Sequence, residues 1–305
     1  MSQKTCLITG ATSGIGRAAA LALARQGFRV IIVARNGDKA ERVCRHIRPH
    51  SPQSEVSYYL CDLSLLEHVR RLVSQARADL DRIDVLVNNA GARFLRHQVT
   101  AEGIEITLAT NHLSHFLLTL SLLELLGKSP EARIINVASG AHYGADGVIE
   151  NILQADKYDG KKQYALSKLA NVLFTYALSE KLRESSITVN AVDPGGVATN
   201  FARNNGLIPW LKHRLYYLGK GELLSPGKGA ETVVYLASAP EVRGITGKYF
   251  FNKQEKKSSS ASYDKDLQKR LWEMSLALIK NRDTLKNRDT LKNRDTLDFS
   301  EFSRA

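Results

Sequence analysis

Cys6-Leu7-Ile8-Thr9-Gly10-Ala11-Thr12-Ser13-Gly14-Ile15-Gly16-Arg17 is the stretch that decides how this chain folds. The apolar run ending at Thr9 reads as a strand, and glycines at positions 10, 14 and 16 lead into a helix over Gly14 to Gln26. Glycine lets the backbone turn tightly and approach a pyrophosphate, whose charge then meets the unpaired N–H groups and positive dipole end of the helix. The spacing is GxxxGxG, not the GxGxxG dinucleotide fingerprint, so the strand-turn-helix context carries the nucleotide reading against that of a simple tight turn.

Outward from this stretch, similar runs recur at Arg29–Ala34, Val56–Leu60, Asp84–Val87, Arg133–Ala138, Ile187–Val192 and Lys248–Phe251. They are almost continuously apolar, as parallel strands covered by helices on both faces require. Helical patterns fall between them at Asp38–Ile47, Ser64–Leu80, Glu102–Leu126 and Lys162–Arg183, with Ser64 as N-cap and Glu67 completing a capping box. The expected fold is α/β, a doubly wound seven-stranded parallel sheet flanked by helices, in a single domain over residues 1–279. Its last helix carries Leu267, Leu271, Met274 and Leu278 on one face.

After Ile279 the hexamer Lys-Asn-Arg-Asp-Thr-Leu occurs three times, starting at Lys280, Lys286 and Lys292. A six-residue step places Leu285, Leu291 and Leu297 about 120° apart around an α-helix, so no apolar stripe forms. Residues 280–305 therefore read as a solvated, disordered hexamer-repeat tail.

Composition narrows the function. The 305 residues are 43% hydrophobic and 24% charged, ordinary for a globular protein, which excludes collagen-like and wholly disordered chains. The N-terminus reads directly as strand, leaving no room for a secretory signal, and Phe116–Leu126 is too short and too polar to span a bilayer. Cys6, Cys44 and Cys61 show neither disulfide nor zinc spacing, which suits a cytoplasmic location. A formal charge of +12 favours anionic ligands or acidic lipid surfaces. Nucleic acid is not expected as a partner, because no RNP aromatics, Cys/His finger or basic region with heptads is present. His112 and His115 lie three apart on a helix with apolar neighbours and no third ligand, so they read as packed structural histidines, and no metal is expected.

Further motifs follow the runs in order: Asn88-Asn89-Ala90-Gly91, Asn111-His112-Leu113, Ser139-Gly140-Ala141-His142, Tyr164-Ala165-Leu166-Ser167-Lys168 and Asp193-Pro194-Gly195-Gly196-Val197-Ala198-Thr199. Tyr164 and Lys168, four apart, share a helix face, so an ammonium beside the phenol favours the phenolate and equips Tyr164 to give and take a proton. Together with the opening stretch, these motifs resemble the short-chain dehydrogenase/reductases. Gly247-Lys248-Tyr249-Phe250 and Arg270-Leu271-Trp272-Glu273 are similar to the retinol dehydrogenase-like branch. The N-terminal membrane segment frequent in that branch is lacking, and the hexamer tail has no counterpart there.

The resemblance implies a Rossmann-type fold and a catalytic tetrad. Tyr164 is the general acid, Lys168 holds the nicotinamide ribose, Ser139 hydrogen-bonds the substrate oxygen, and Asn111 anchors a relay water; Ser139 as a helix cap and Asn111 as a buried polar spot are the plainer alternatives. It implies cofactor contacts from Gly10, Thr12, Ser13, Gly14, Ile15, Gly16, Asp62, Leu63, Asn89, Ala90, Gly91, Tyr164, Lys168, Pro194, Gly195, Val197 and Thr199. At the end of the second run, Arg35 with Lys39 suits a ribose 2′-phosphate, so NADP(H) is expected over NAD(H). Asp38 dissents, and is read as a first-turn acid complementing its own helix.

The long loop 140–163 is expected to shape a substrate pocket with Ser139 and His142. Residues 207–224, with an apolar stripe through Leu207, Leu211, Leu215 and Leu218, read as a substrate lid in which Trp210, Leu211 and Leu215 touch substrate. Lys212, Arg214 and Lys220 in that segment add the option of peripheral contact with anionic membranes. The implied activity is interconversion of a small lipophilic alcohol and its aldehyde or ketone. A cofactor-binding regulatory or scaffold protein without turnover is the rival reading. A homodimer through Glu102–Leu126 and Lys162–Arg183 is implied.

Overall fold

The computed structural model describes residues 3–145, 147–153, 158–198, 201, 203–219 and 223–286. Strands β1 (Thr5–Thr9), β2 (Arg29–Ala34), β3 (Val56–Leu60), β4 (Val85–Asn88), β5 (Ala132–Val137), β6 (Ile187–Asp193), β7 (Lys248–Phe251) and β8 (Gln254–Glu255) form one sheet in the order β3-β2-β1-β4-β5-β6-β7-β8. The first seven are parallel, and β8 adds an antiparallel edge not expected from the sequence. It returns through Asn252 and Lys253, whose φ values of 49° and 62° give the left-handed pair that a tight hairpin turn needs.

The helices are α1 (Gly14–Arg25), α2 (Gly37–Ile47), α3 (Leu66–Asp79), α4 (Ile106–Leu108), α5 (Ser114–Ser121), α6 (Leu123–Gly127), α7 (Gly160–Lys181), α8 (Leu207–Gly219), α9 (Pro226–Ser238) and α10 (Lys265–Lys286). Alternate strand residues feed opposite layers, which is why both must be apolar. Leu7, Ile31, Leu86 and Ile134 meet α3, α5, α7 and α10, whereas Ile8, Ile32, Val87 and Ile135 meet α1, α2 and α9. The strand order reverses between β1 and β4, and in open sheets of this kind a crevice forms there, outside the carboxyl ends of the strands.

Three local expectations are corrected. The cap of α3 is not Ser64, which instead donates to the Asp62 carboxylate; Glu102, distant in sequence, accepts from the N–H groups of Leu66 and Glu67 at 2.8 and 3.0 Å. The expected helix Glu102–Leu126 begins at Ile106, where Glu105 accepts from Thr107 and Leu108, and widens into a π-turn over Ala109–Leu113 before α5. The last helix continues past Ile279 to Lys286, and residues 287–305 lie outside those described.

The helices expected to make a dimer are covered within the chain. Leu267 and Leu271 of α10 pack on Leu169, Ala170 and Leu173 of α7, and Trp272 meets Phe116 edge-on and Phe174 at a tilt. Among the described residues, no helix is long and apolar enough to cross a membrane.

Candidate active site

A cavity of about 890 Å³ opens at the carboxyl ends of the central strands. The turn after β1 forms one wall with Gly10, Thr12, Ser13, Gly14, Ile15 and Gly16. Gly10 has φ +67°, and a Cβ there would lie 2.8 Å from Ala90 Cα; a Cβ on Gly16 would lie 2.5 Å from Asn89 Nδ2. The turn is therefore packed backbone to backbone against the segment after β4, and only glycine fits at either position. Ser13 precedes α1 without offering a side-chain cap, and no acidic residue occupies the first turn, so the helix end keeps its positive character.

Thr9 ties these two segments together, its hydroxyl accepting from the N–H groups of Asn89 and Ala90 at 2.9 and 3.0 Å. Asn89 donates to the carbonyl oxygens of Thr9 and Gly10, so its amide is spent on bracing the turn. Asn89, Ala90 and Gly91 line the cavity, as do Pro194, Gly195 and Val197 after β6. Thr199 lies outside the described residues.

Arg35, Asp62 and Leu63 line the end nearest β2 and β3. The Asp62 carboxylate accepts from the backbone and hydroxyl of Ser64, and its other oxygen lies 3.9 Å from the exposed Arg35 guanidinium. Lys39 does not reach the cavity: its backbone N–H donates to Asn36, the cap of α2, and its side chain points to solvent. Asp38 stands in the first turn of α2.

At the other end Ser139, Tyr164 and Lys168 come together around the cavity. Lys168 is buried, its ammonium donating to the Val137 carbonyl at 2.9 Å and lying 5.8 Å from the centre of the Tyr164 ring. Burial pushes this lysine down to about 8, with the Asp193 carboxylate pulling the other way. Ser139 is at once a cap, accepting from Ala141 N–H at 3.2 Å, and part of the cavity wall, so the two readings of it coexist.

Five further expected site residues stand outside the cavity wall. Asn111, on the π-turn, is buried with its amide fully engaged: it accepts from Ala92 N–H and donates to Ala92 O and Ser167. Its side chain therefore holds the loop after β4 and is not presented to substrate. His142 is buried behind the wall; Nδ1 donates to the Ser139 carbonyl at 2.7 Å and Nε2 accepts from Ser259 N–H at 3.0 Å. That double contact fixes the neutral tautomer, and burial lowers its pKa. Leu211 and Leu215 of α8 are exposed and Trp210 packs under Arg203, so none of the three lines the cavity.

The sequence reading missed Arg93, Phe94, Ile106, Lys161, Lys162 and Phe201, all in the wall. Phe201 packs 5.2 Å from Tyr164, ring centre to ring centre. Arg93 follows the Asn-Ala-Gly motif by two residues, the one local signal that could have flagged it. His112 engages Asn171 and Ser275, and His115 faces Thr9; among the described residues no group of three His, Cys, Asp or Glu side chains could hold a metal.

Known proteins resemble this chain in sequence and in fold. The profile of the family described as short chain dehydrogenase matches residues 4–207. Short-chain dehydrogenase TIC 32 B, chloroplastic, of Brassica napus is 39% identical, covering 90% of this chain and 88% of that protein. Retinol dehydrogenase 13 of Homo sapiens is 36% identical over 90% of this chain and 84% of its own length. Among solved structures, a short-chain type dehydrogenase/reductase from Mycobacterium marinum superposes with TM-score 0.67 at 27% identity, covering 82% of this chain and 93% of that one.

Proposed function

The chain belongs to the short-chain dehydrogenase family, oxidoreductases acting on CH–OH groups, and from that premise we propose that it interconverts a lipophilic alcohol and its aldehyde or ketone, with NADP(H) as the preferred cofactor and Tyr164 as general acid and base. The observation that carries the reading is Lys168, buried beside Tyr164 in the wall of a cavity that also holds Ser139.

The cavity suits a nicotinamide nucleotide on grounds of its own. The turn at Gly10 and Gly16 leaves no room for a Cβ, and the end of α1 offers uncapped N–H groups to a pyrophosphate. When bound, the nucleotide supplies or accepts the hydride. The protein's part is the proton and the oxygen. Tyr164 donates to the substrate oxygen as the carbonyl is reduced and takes that proton back in the reverse direction. Ser139 donates a hydrogen bond to the same oxygen while its own lone pair accepts from Ala141. Lys168 keeps positive charge near the phenol and favours its ionised form. His142 and Asn111 act as positioning residues, one through the Ser139 carbonyl and the other through the backbone of Ala92.

Arg35 supports the preference for NADP(H). Its guanidinium is exposed at the β2 end of the cavity, where a 2′-phosphate would find a planar donor fork, although the start of α2 beside it is capped by Asn36 and carries Asp38. Arg35→Asp is expected to weaken NADPH by tenfold or more, on the order of one charge-assisted pair, and to leave NADH unchanged or tighter. Separate titrations of the two cofactors check this; an equal fall in both affinities defeats the 2′-phosphate reading.

A second feature supports a lipophilic setting. Leu207, Leu211, Leu215 and Leu218 of α8 are all about half exposed or more, and Lys212 sits among them. Such a face fits shallow contact with an anionic bilayer, beside the cavity mouth at Phe201 and Asn204. Sedimentation with acidic vesicles is expected to carry the protein down at low salt, and Leu211→Ser with Leu215→Ser to release it. No sedimentation at low salt removes the membrane reading and leaves the oxidoreductase reading intact.

A further inference from the structure

Arg93, Lys161 and Lys162 all line the Tyr164 end of the cavity, and among the described residues no carboxylate stands in the wall there. Among the described residues the one acidic residue of the cavity wall, Asp62, lies at the opposite end and is engaged by Ser64 and Arg35. None of the three cations is paired with a carboxylate side chain among the described residues.

The loop that carries Arg93 is held in place through its backbone, whereas Lys161 and Lys162 are exposed. The Arg93 carbonyl accepts from Asn204 and Asn205 at 3.0 and 2.6 Å, Asn205 in turn accepts from Leu95 N–H, and the Tyr158 hydroxyl donates to the Phe94 carbonyl. Gly160 packs so tightly on this loop that a Cβ would lie 2.1 Å from Phe94 O, which brings Lys161 and Lys162 at the start of α7 against the same segment. The Arg93 guanidinium lies 5.6 Å from the centre of the Phe201 ring, and that ring packs against Tyr164, so a fixed positive charge stands one aromatic ring away from the proton donor. Its Nε is shut off from solvent and donates to no acceptor among the described residues. That nitrogen is closed to a ligand, but Arg93 also lines the cavity, and an oxyanion there is the strongest partner its guanidinium can take.

We propose that the substrate carries an oxyanion, a carboxylate or a phosphate, separated by an apolar stretch from the carbon that reacts, and that Arg93 is its principal partner. Phe94, Ile106 and Phe201 accommodate the apolar stretch, and Lys161 and Lys162 add attraction at the mouth. This rests on the oxidoreductase reading and names its substrate class; cofactor phosphates are met by the separate N-terminus of α1.

The test compares 9-oxononanoate, its methyl ester and the matching ω-phosphate aldehyde as substrates with NADPH. The expected result is a kcat/KM for the carboxylate or the phosphate at least about tenfold above the ester at low salt, a ratio that shrinks as salt rises. Which of the two anions is preferred separates the two sources of the charge. Arg93→Gln is expected to bring the anion-to-ester ratio towards one, and the Lys161→Gln, Lys162→Gln pair gives the same direction where the arginine variant fails to fold. Equal rates for ester and anions in the unaltered protein overturn the inference while leaving the oxidoreductase reading in place. Calorimetry of nonanoate and methyl nonanoate on the NADPH-loaded protein gives a readout that needs no turnover. A preference for nonanoate without any turnover supports the anion site and counts against the oxidoreductase reading, and equal binding with no turnover overturns both.

Discussion

Tyr164→Phe is expected to lower turnover by about 100- to 10,000-fold, the worth of a positioned general acid, while cofactor affinity changes little. The substitution removes one oxygen and keeps the ring, so the packing against Phe201 survives, and cofactor titration reports on the fold. Lys168 stays where it is, because its ammonium is anchored on the Val137 carbonyl and not on the phenol. A single-turnover assay with an aldehyde or ketone, together with a cofactor titration, separates chemistry from binding. Retention of more than about a tenth of the rate in that assay would remove Tyr164 from the proton-transfer role. A protein that binds cofactor normally and turns over nothing, with or without the substitution, would be the silent scaffold that the same fold allows.

What was legible in the sequence follows from how local each determinant is. The seven parallel strands were readable because both faces of each are buried, which writes an unbroken apolar run into the chain; Ile31 and Ile32 serve opposite layers and both must be apolar. β8 left no such mark, since Gln254 and Glu255 are exposed and its turn uses Asn252 and Lys253 without a glycine. The cap of α3 escapes local sequence for the same reason in reverse. Ser64 has the right type in the right place, yet Asp62, two residues away, takes its hydroxyl, and the helix end is satisfied by a glutamate that the fold brings in from a distant loop.

The candidate site divides along the same line. Tyr164, Lys168 and the glycine turn were found because their chemistry depends on spacing within one element. Asn111 and His142 carry suitable groups in suitable motifs, but their hydrogen bonds go to the backbone of Ala92 and Ser259, and nothing near them in sequence announces that. The stripe on α8 shows the limit of periodicity: four leucines on one face promise a covered surface, and here that face is open. Arg93 and Phe201 acquire their place only from tertiary packing, one beside the other, and no motif includes them both.

Acidification should destabilise the protein well before its carboxylates titrate. Burial lowers His112 to about 4 and His115 to about 3 from the ordinary 6.5, the latter helped by the nearby Lys168 charge. The folded state thus keeps both rings neutral where the unfolded chain takes up two protons. The sign follows: their contribution is fully present above 6.5 and is lost progressively as pH falls from 6.5 towards 4, where His112 begins to charge in the folded state as well. Each such histidine costs about 1.4 kcal/mol per pH unit once pH is well below 6.5, so the pair gives a slope of about 2 to 3 kcal/mol per unit. His142, lowered by burial in the same sense, steepens it. Lys168 does not contribute in this window, because below about 8 it is charged both folded and unfolded. Glu131, Glu180 and Glu231, held below the usual carboxylate range by Arg133, Lys265 and Lys253 respectively, add their loss only near and below 4.5. Chemical denaturation at pH 7.5, 6.0 and 5.0 is therefore expected to show stability falling steeply between the last two. His112→Gln keeps hydrogen-bonding capacity without a titrating ring and is expected to remove that residue's share of the slope. Stability that stays level from pH 7.5 to 5.0 would mean that these rings are not held neutral in the core.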